Sequence, residues 1–469
     1  MTLAPNRRTR TALASLAATA TVASLALTTT PSQAAVSAQT VNGTIGRAAW
    51  TAKVPANWNH TLLLWNHGIR TTVDPRHSPE WAPKGTDGDT SDALLAKGYA
   101  LVGSSYSSNG FAVRDAVNDD IALLAQFTRE FGKPAKTYVW GESLGGLITE
   151  TLAEERPDLL TGAAPACGVL SGAVPIGDQV LDTLLMVRAL FRPTLKVSGY
   201  TSDAEAANAF ALLKGSVTGA LANPATQTGA VGRLVAIAVL QGLPLQTRSF
   251  NGLTTASVAG AAAEGVLTHA GAAIMGSRDS LTRAGGQPAT NLRTSYAARV
   301  TPEAVARFQA LGLPQALLSS YALTLDRRVG RVVANPAARA KARTFGAPRG
   351  RATKPTVTMH TEFDQFVTAS NEAVFAARVA AAGATAKVLQ LYVAPPSYAD
   401  AGATTGNGAP YGAGHCVFSS AQWLALLDTL EAFVASGQKP SAAMVSALWK
   451  DAPGLDPAFR PLPWRGTAF

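Results

Sequence analysis

The chain has 469 residues, of which 47% are hydrophobic and 15% are charged. A chain of this length and composition can bury a large core, which excludes an intrinsically disordered protein. Lysine and arginine exceed the acidic residues by ten, yet no block of five or more basic residues interleaved with aromatics occurs. We therefore expect no nucleic acid as a partner.

The first 35 residues have the pattern of a signal peptide. A basic region with Arg7, Arg8 and Arg10 precedes a weakly apolar run from Ala12 to Leu27, and small residues follow it. This order is typical of a secretory signal with an A-x-A-like cleavage site. The apolar run is shorter than the roughly 20 residues that span a bilayer. Residues 1–35 therefore predict a secreted protein, extracellular or periplasmic, without a stable membrane anchor.

Residues 40–170 alternate short apolar runs with helical patterns. The predicted strands include TLLLWNHG, YALVGSSYS, KTYVW and LTGAAPACGVL, and helical patterns such as VNDDIALLAQFTREFG lie between them. This alternation predicts a mostly parallel sheet with helices on both faces. We interpret the stretch as the first part of an α/β core.

Residues 171–350 differ from this core because they are alanine-rich and helical in pattern, as in DQVLDTLLMVRALF and GRLVAIAVLQGL. The alternation resumes over residues 351–440, with PTVTMHTEFD and AKVLQLYVAP as strands, and residues 441–469 form a C-terminal tail. A helical stretch of roughly 180 residues is too long for an ordinary loop. The predicted fold is one α/β sheet interrupted by a large helical cap insertion.

The stretch KTYVWGESLGGLITETLAEE places Ser143 among three glycines, between a predicted strand and a predicted helix. Glycines permit a sharp backbone bend that larger neighbours block. G-x-S-x-G between a strand and a helix is the nucleophile elbow, which exposes a serine hydroxyl at the C-terminal edge of a sheet. Ser143 is therefore the predicted nucleophile.

A serine nucleophile needs a base, most often a histidine that a third group orients. The sixth histidine of the chain, His415, lies in YGAGHCVFSS, a glycine-containing loop between the last predicted strand and the last predicted helix. Such a loop can bring an imidazole beside Ser143, so His415 is the predicted base. The other five have less suitable positions in strands, loops or the insertion: His60, His67, His77, His269 and His360.

The orienting acid is expected between nucleophile and base in the chain order Ser, Asp or Glu, His. The stretch MHTEFDQFV offers Asp364 just beyond a predicted strand end, where a loop can turn its carboxylate towards the histidine. Asp364 is the predicted acid because it lies past the strand. Glu362, two residues earlier, and Asp400 remain alternatives.

A tetrahedral intermediate also needs hydrogen-bond donors for its oxyanion. Leu144 follows the serine at a predicted helix start, where the helix dipole favours negative charge. The second donor is expected from the loop after an early strand, and NHGIR follows TLLLW at that place. We predict the backbone N–H groups of Leu144 and Ile69 as the oxyanion hole, with His67 bracing the loop.

Four short motifs together resemble those of secreted bacterial α/β-hydrolases of the serine esterase, lipase and peptidase type. They are HG at 67–68, GESLGG at 141–146, HTEFD ending at Asp364 and GHC at 414–416. The resemblance covers the two parts of the sheet and not the insertion. It implies an α/β-hydrolase fold in which the insertion is a variable cap over the active site and the main determinant of substrate.

These residues predict a serine hydrolase that cleaves carboxylic esters of a small-molecule or polymeric acyl substrate. An ester is favoured over an amide because its leaving group demands less protonation. An amidase or peptidase of the same fold is the alternative, and a non-catalytic binding protein on this fold is a further one. No metal or organic cofactor is expected, because the sequence has no H-E-x-x-H, no P-loop and no cysteine ligand cluster.

The two cysteines, Cys167 and Cys416, are an even pair in a chain predicted to be exported, and disulfides persist outside the cell. Cys167 follows the strand after the elbow helix, and Cys416 is the neighbour of His415. Both are therefore expected at the same edge of the sheet. We predict a disulfide that anchors the histidine loop, with two buried free thiols as the alternative.

Overall fold

The computed structural model describes residues 38–74, 77–396 and 409–464. The predicted signal peptide, residues 1–35, and the alternative acid Asp400 lie outside the described residues.

The described residues form a central sheet of eight strands and a separate two-stranded hairpin. The order across the sheet is β1-β2-β6-β3-β7-β8-β9-β10; β1 pairs antiparallel with β2 and β2 with β6, and every other neighbouring pair is parallel. The strands are β1 (Gln39–Ile45), β2 (Ala48–Val54), β3 (Thr61–Asn66), β4 (Lys84–Gly85), β5 (Gly88–Asp89), β6 (Ala100–Ser104), β7 (Lys136–Glu142), β8 (Gly162–Ala166), β9 (Thr356–Thr361) and β10 (Val388–Val393).

The helices of the described residues lie between the strands and after the last of them. In chain order they are α1 (Ser91–Ala96), α2 (Val113–Phe131), α3 (Leu144–Glu155), α4 (Ala173–Phe191), α5 (Asp203–Ala222), α6 (Pro224–Gln241), α7 (Thr255–Met275), α8 (Ser277–Ala284), α9 (Pro302–Gln309), α10 (Gln315–Arg328), α11 (Pro336–Ala342), α12 (Ser370–Ala381), α13 (Ser420–Ser436) and α14 (Ala442–Leu448).

Strand β3 shows why the central strands read as continuous apolar runs. All six of its residues are buried, because successive side chains point to opposite faces and both faces are covered. Leu62 and Leu64 pack in one hydrophobic cluster with residues of α2 and α3, whereas Leu63 and Trp65 pack in another with residues of α1 and α13. The predicted fold class, a mostly parallel sheet with helices on both faces, is confirmed.

Residues 167–355, all of which the structure describes, lie between β8 and β9 and form the eight helices α4 to α11. Their apolar side chains form a hydrophobic cluster of their own that runs from Leu181 to Val329. The apolar run of α6 belongs to it, since Leu234 and Ile237 are fully buried there. We call residues 167–355 the cap.

Helix α7 is by length and composition apolar enough to cross a membrane, with a mean hydropathy of 1.3 over its most apolar window. Of that window, 61% is buried inside the protein. The helix packs against α4, α5 and α6 within the cap. Burial in the cap thus accounts for its apolar composition.

Candidate active site

Ser143 lies at a sharp turn between β7 and α3, with φ 58° and ψ −122°. This backbone conformation is rare for a residue with a side chain. The flanking glycines allow the turn to pack tightly: a Cβ on Gly141 or Gly145 would lie 2.5 or 2.0 Å from the backbone oxygen of Asn66. A Cβ on Gly146 would lie 2.7 Å from the Cα of Gly168. The three glycines therefore let the elbow sit directly on the ends of β3 and β8.

His415 joins Ser143 and Asp364 in one hydrogen-bonded chain. Its Nε2 lies 2.7 Å from the Oγ of Ser143, and its Nδ1 lies 2.7 Å from the Oδ2 of Asp364. The structure thus brings together three predicted site residues that come from different parts of the chain. Because an ionised carboxylate only accepts hydrogen bonds, Nδ1 carries the ring proton and Nε2 accepts from the serine hydroxyl.

The loop that carries His415 is tied to the loop that carries Asp364. Gly414 donates its N–H to the carbonyl of Phe363 at 3.0 Å, and the Thr361 hydroxyl donates to the carbonyl of Gly414 at 2.8 Å. Gly414 adopts φ 97°, a conformation that side chains rarely permit. The glycine therefore sets the path by which the imidazole reaches the carboxylate.

The Asp364 side chain is almost fully buried and is held at both oxygens. Its Oδ1 accepts from the backbone N–H groups of Phe366 and Val367, at 2.8 and 2.9 Å. Burial opposes ionisation, but the charge and hydrogen bond of His415, together with the nearby His360, hold the pKa of Asp364 well below its usual range. Asp364 is thus an ionised, oriented partner for the imidazole.

Burial disfavours a charged His415, but the charge of Asp364 and its hydrogen bond outweigh burial and raise the pKa of His415 above its usual value. Glu362, the alternative acid, is instead directed towards Asp456, and burial together with that neighbour raises the pKa of Glu362 to about 8. The structure therefore shows Asp364 as the carboxylate bonded to His415.

The two predicted oxyanion donors lie on either side of the serine. Leu144 begins α3 directly after Ser143. On the other side, the loop after β3 approaches so closely that a Cβ on Gly68 would lie 3.4 Å from the Cβ of Ser143. Ile69, the next residue of this loop, is 45% exposed. The placement agrees with donors from two segments, and their assignment stays a prediction.

His67 lies against the loop that carries Ile69. Its Nδ1 donates to the carbonyl of Gly68 at 2.6 Å, and its ring stacks on Tyr106 with 4.0 Å between centroids. Burial and the nearby Arg70 lower the pKa of His67 to about 4. A neutral, packed ring of this kind braces the loop.

The predicted disulfide is a point that the structure corrects, since Cys167 and Cys416 are both free thiols. Their sulfurs and a ring nitrogen of His415 cluster within 4.8 Å of one another, but no bond joins the two sulfurs. The Cys416 sulfur lies 3.9 Å from both ring nitrogens of His415. The Cys416 sulfur therefore packs against the imidazole of His415 and forms no covalent anchor for the loop that carries it.

Two histidines that the sequence analysis set aside converge on the loop after β9. His360 lies in β9, and its Nε2 donates to the carbonyl of Val367 at 2.7 Å. His269, on α7 of the cap, has its Nε2 2.9 Å from the carbonyl of Phe366. His360 is only four residues before Asp364, so the sequence alone indicates that it lies near the acid. Nothing local in the sequence connects His269 with this loop.

A cavity of about 350 Å³ opens above Ser143. Its polar side chains include two exposed cations, Lys84 and Arg248, and one carboxyl group, Glu142. Burial raises the pKa of Glu142 to about 7 against the opposing effect of His415. The lining residues are Lys84, Gly85, Thr86, Glu142, Ser143, Arg248, His415, Cys416, Val417 and Phe418.

Two sets of potential metal ligands cluster near the serine among the described residues. The first comprises Cys167, His415 and Cys416, and the second Cys167, His360 and Asp364. In both sets the histidine nitrogens already face protein hydrogen-bond partners. The ring lone pairs and protons are therefore engaged within the protein.

Comparisons with known proteins give one family match and distant structural likenesses. Residues 35–233 match the model of a tannase-like family of unknown function, DUF6351. No curated protein matches the sequence.

Solved structures of three hydrolases are among those that resemble the chain. The rice cell wall degrading esterase LipA from Xanthomonas oryzae is 14% identical with a TM-score of 0.33, over 75% of this chain and 80% of that one. Feruloyl esterase B from Aspergillus oryzae is 13% identical with a TM-score of 0.38, over 86% and 80%. The acylaminoacyl peptidase of Pyrococcus horikoshii is 9% identical with a TM-score of 0.37, over 88% and 44%. Likeness at this level decides neither substrate nor mechanism.

The fold class of the chain is assigned from the sheet and the nucleophile elbow. The six strands from β6 to β10 in the order of the sheet are parallel, with helices on both faces. The serine of G-x-S-x-G lies at the sharp turn between β7 and α3. This strand–turn–helix placement is the structural context that gives the motif its meaning. The sheet topology and the elbow are those of the α/β-hydrolase fold.

Proposed function

We propose that this protein is a serine hydrolase that cleaves carboxylic esters through an acyl-enzyme intermediate. The observation that carries the proposal is the hydrogen-bonded chain Ser143–His415–Asp364, with 2.7 Å at each link. Such a chain turns an inert hydroxyl into a nucleophile because a base and its orienting acid stand in reach. We further propose that the protein acts after export, as residues 1–35 predict.

In the proposed mechanism the Ser143 Oγ attacks the ester carbonyl carbon while His415 Nε2 takes the hydroxyl proton. Asp364 stabilises the imidazolium that forms. The N–H groups of Leu144 and Ile69 donate to the oxyanion of the tetrahedral intermediate. His415 then gives the proton to the departing alcohol, and a water molecule repeats the sequence on the acyl-enzyme to release the acid.

The cavity above the serine supports a preference for substrates that carry a negative charge. Arg248 and Lys84 face a pocket whose one carboxyl group, Glu142, has a pKa raised to about 7 by burial. The two cationic side chains attract a negatively charged substrate, and this attraction weakens as the ionic strength rises. We propose that the natural ester bears a carboxylate or a similar anionic group near the scissile bond, on a small molecule or a polymer.

Labelling with a fluorophosphonate probe tests whether the protein is a serine hydrolase. We expect one label per chain in the wild type and none in Ser143→Ala, because the probe reacts with an activated serine. An unlabelled wild-type protein that is folded by circular dichroism would refute the hydrolase proposal and favour a binding protein.

A matched panel of p-nitrophenyl esters and p-nitroanilides tests the choice of ester. We expect turnover of the esters to exceed that of the anilides at equal acyl group by more than the difference in their uncatalysed hydrolysis. Preferential cleavage of the anilides would assign the protein to the amidases or peptidases instead.

A further inference from the structure

His360 is a second histidine beside Asp364, and it is fully buried. Its Nε2 lies 3.6 Å from the Oδ2 of Asp364, the same oxygen that bonds His415. Its Nδ1 lies 3.4 Å from the Oε1 of Glu372 on α12. A second imidazole therefore stands between the candidate acid and another buried carboxylate.

The partners of this ring fix its protonation. The Oε2 of Glu372 accepts hydrogen bonds from the Thr358 hydroxyl at 2.8 Å and from the Gln390 side chain. An ionised carboxylate and the carbonyl of Val367 only accept hydrogen bonds. Since each ring nitrogen faces an acceptor, each needs a proton, and His360 is an imidazolium.

We propose that His360 is a positioning residue that acts through Asp364, and that its permanent positive charge keeps His415 available as an unprotonated base at low pH. The inference rests on the proposed serine hydrolase function. The side chains then form a series of five, in the order Glu372, His360, Asp364, His415 and Ser143, in which an ion-pair contact of 3.6 Å joins His360 to Asp364.

The electrostatic effect follows from the distances. The Nε2 of His360 and the Nδ1 of His415 are at most 6.3 Å apart, the sum of their distances of 3.6 and 2.7 Å to the shared Oδ2. Two like charges at this separation in a buried site repel each other. A fixed charge on His360 therefore makes a second charge on His415 less favourable and lowers the pH at which the base is lost.

Other ionisable groups face His360 from each neighbouring element. Asp364 and Glu372 face it from the loop after β9 and from α12, and the Cys167 thiol faces it from the end of β8. Glu150 of α3 lies beyond Glu372, and burial raises the pKa of Glu150 well above its usual range. Burial disfavours the charged ring, and the anionic neighbours outweigh it, so the pKa of His360 lies well above its usual value.

His269 provides a matched control. It also bonds a carbonyl of the loop after β9, that of Phe366 at 2.9 Å, and it is fully buried. Its Nδ1 faces the uncharged Thr183 hydroxyl at 3.3 Å, and burial lowers the pKa of His269 to about 4. The loop is thus braced by one cationic and one neutral histidine, and only the cation touches the Asp364 carboxylate.

The test compares His360→Gln with His269→Gln in the full chain, using the pH dependence of kcat/KM on one neutral p-nitrophenyl ester. Activity falls when His415 is protonated, so removal of the His360 charge should move the acidic limb to higher pH by about one unit or more. His269→Gln should lower the thermal midpoint and leave the acidic limb in place. Equal limbs in His360→Gln and wild type would overturn the proposal.

Two further measurements keep the test decisive if His360→Gln fails to fold. Glu372→Gln keeps the shape of the ring's partner but removes the negative charge that favours a protonated His360. The charge on His360 should then be lost, and the acidic limb should move in the same direction as in His360→Gln. In protein labelled with ¹⁵N-histidine, the resonances of His360 should show both nitrogens protonated between roughly pH 6 and 8. A neutral His360 in this range would refute the inference.

Failure of the proposed function gives a different result. A wild-type protein that takes no fluorophosphonate label contradicts the hydrolase proposal, and the ¹⁵N measurement still reports the charge of His360. A protein that labels normally but has a neutral His360 keeps the hydrolase proposal and loses the positioning role.

Discussion

Buried apolar residues have different roles in the sheet core and in the cap. In the core, the buried strands end at the same edge of the sheet. The residues that follow β7 and β9 and the loop at 409–419 therefore place Ser143, Asp364 and His415 within hydrogen-bond distance. In the cap, the apolar side chains mainly pack against one another. The cap reaches the site through single polar side chains, such as Arg248 in the cavity and His269 on the loop after β9. Chemistry should therefore be sensitive to small changes in the core and tolerant of larger ones in the cap.

The sharpest test of this contrast is loss of the core machinery. Ser143→Ala or His415→Ala should reduce kcat by about 10⁴-fold or more, because these residues act as a unit. Steady-state kinetics with a p-nitrophenyl ester measure the loss, and circular dichroism checks that the fold is retained. Activity within tenfold of wild type in either variant would contradict the assignment.

The acid comes next. Asp364→Asn should lower kcat by about 10³- to 10⁴-fold, because the amide can no longer hold His415 in the required tautomer. Glu362→Gln is the matched control, since its carboxyl is directed towards Asp456, and it should retain most of the activity. The reverse result would move the role of the acid to Glu362.

A pair of glycines compares the two regions directly. A Cβ on Gly145 would lie 2.0 Å from the Asn66 carbonyl oxygen, whereas one on Gly229 in α6 would meet nothing within 4 Å. Gly145→Ala must displace the elbow, and a shift near 1 Å costs about 10²-fold in rate. Gly229→Ala should leave kcat unchanged and raise the free energy of unfolding by about 0.5–1 kcal/mol. Kinetics and urea unfolding of both variants decide the point.

Within the cap, Ile237→Ala separates stability from chemistry. Ile237 is fully buried in the cap's hydrophobic cluster, so its truncation should cost about 2–5 kcal/mol of unfolding free energy. The kcat/KM of the folded variant should stay close to wild type. A large loss of kcat/KM at unchanged stability would show that α6 shapes the substrate pocket.

The smallest expected effect concerns substrate charge. Arg248→Gln should reduce, by up to about tenfold, the preference for an ester that bears a free carboxylate over a neutral ester of equal length. Arg293→Gln, at an exposed cap position outside the cavity lining, is the control and should keep the preference. If the wild type showed no preference for the charged ester, the proposed role of Arg248 would be wrong. If both variants kept the wild-type preference, a residue other than Arg248 would be responsible for it.

The sequence was most informative where local chemistry dictates geometry. Ser143 could be placed because its glycines and the flanking patterns require one backbone bend, and His415 and Asp364 because parallel strands end at one edge. His360 and His269 were missed because their roles depend on which carbonyls the fold brings to them. The disulfide was predicted from an even pair of cysteines, the expected export and a shared edge of the sheet, none of which fixes the distance between two sulfurs.

The residues at 455–464 connect the two regions. Leu455 bridges to Val393 and Asp456 donates its N–H to the carbonyl of Tyr392, both at the edge strand β10. Further on, the buried indole of Trp464 donates to the Gln241 side chain of the cap at 2.8 Å. The ribosome makes this segment after both regions, so the hydrogen bond from Trp464 to the cap can form only when synthesis has passed residue 464. A protease that cuts the segment would remove this contact with the cap without removing Ser143, Asp364 or His415, none of which lies in it.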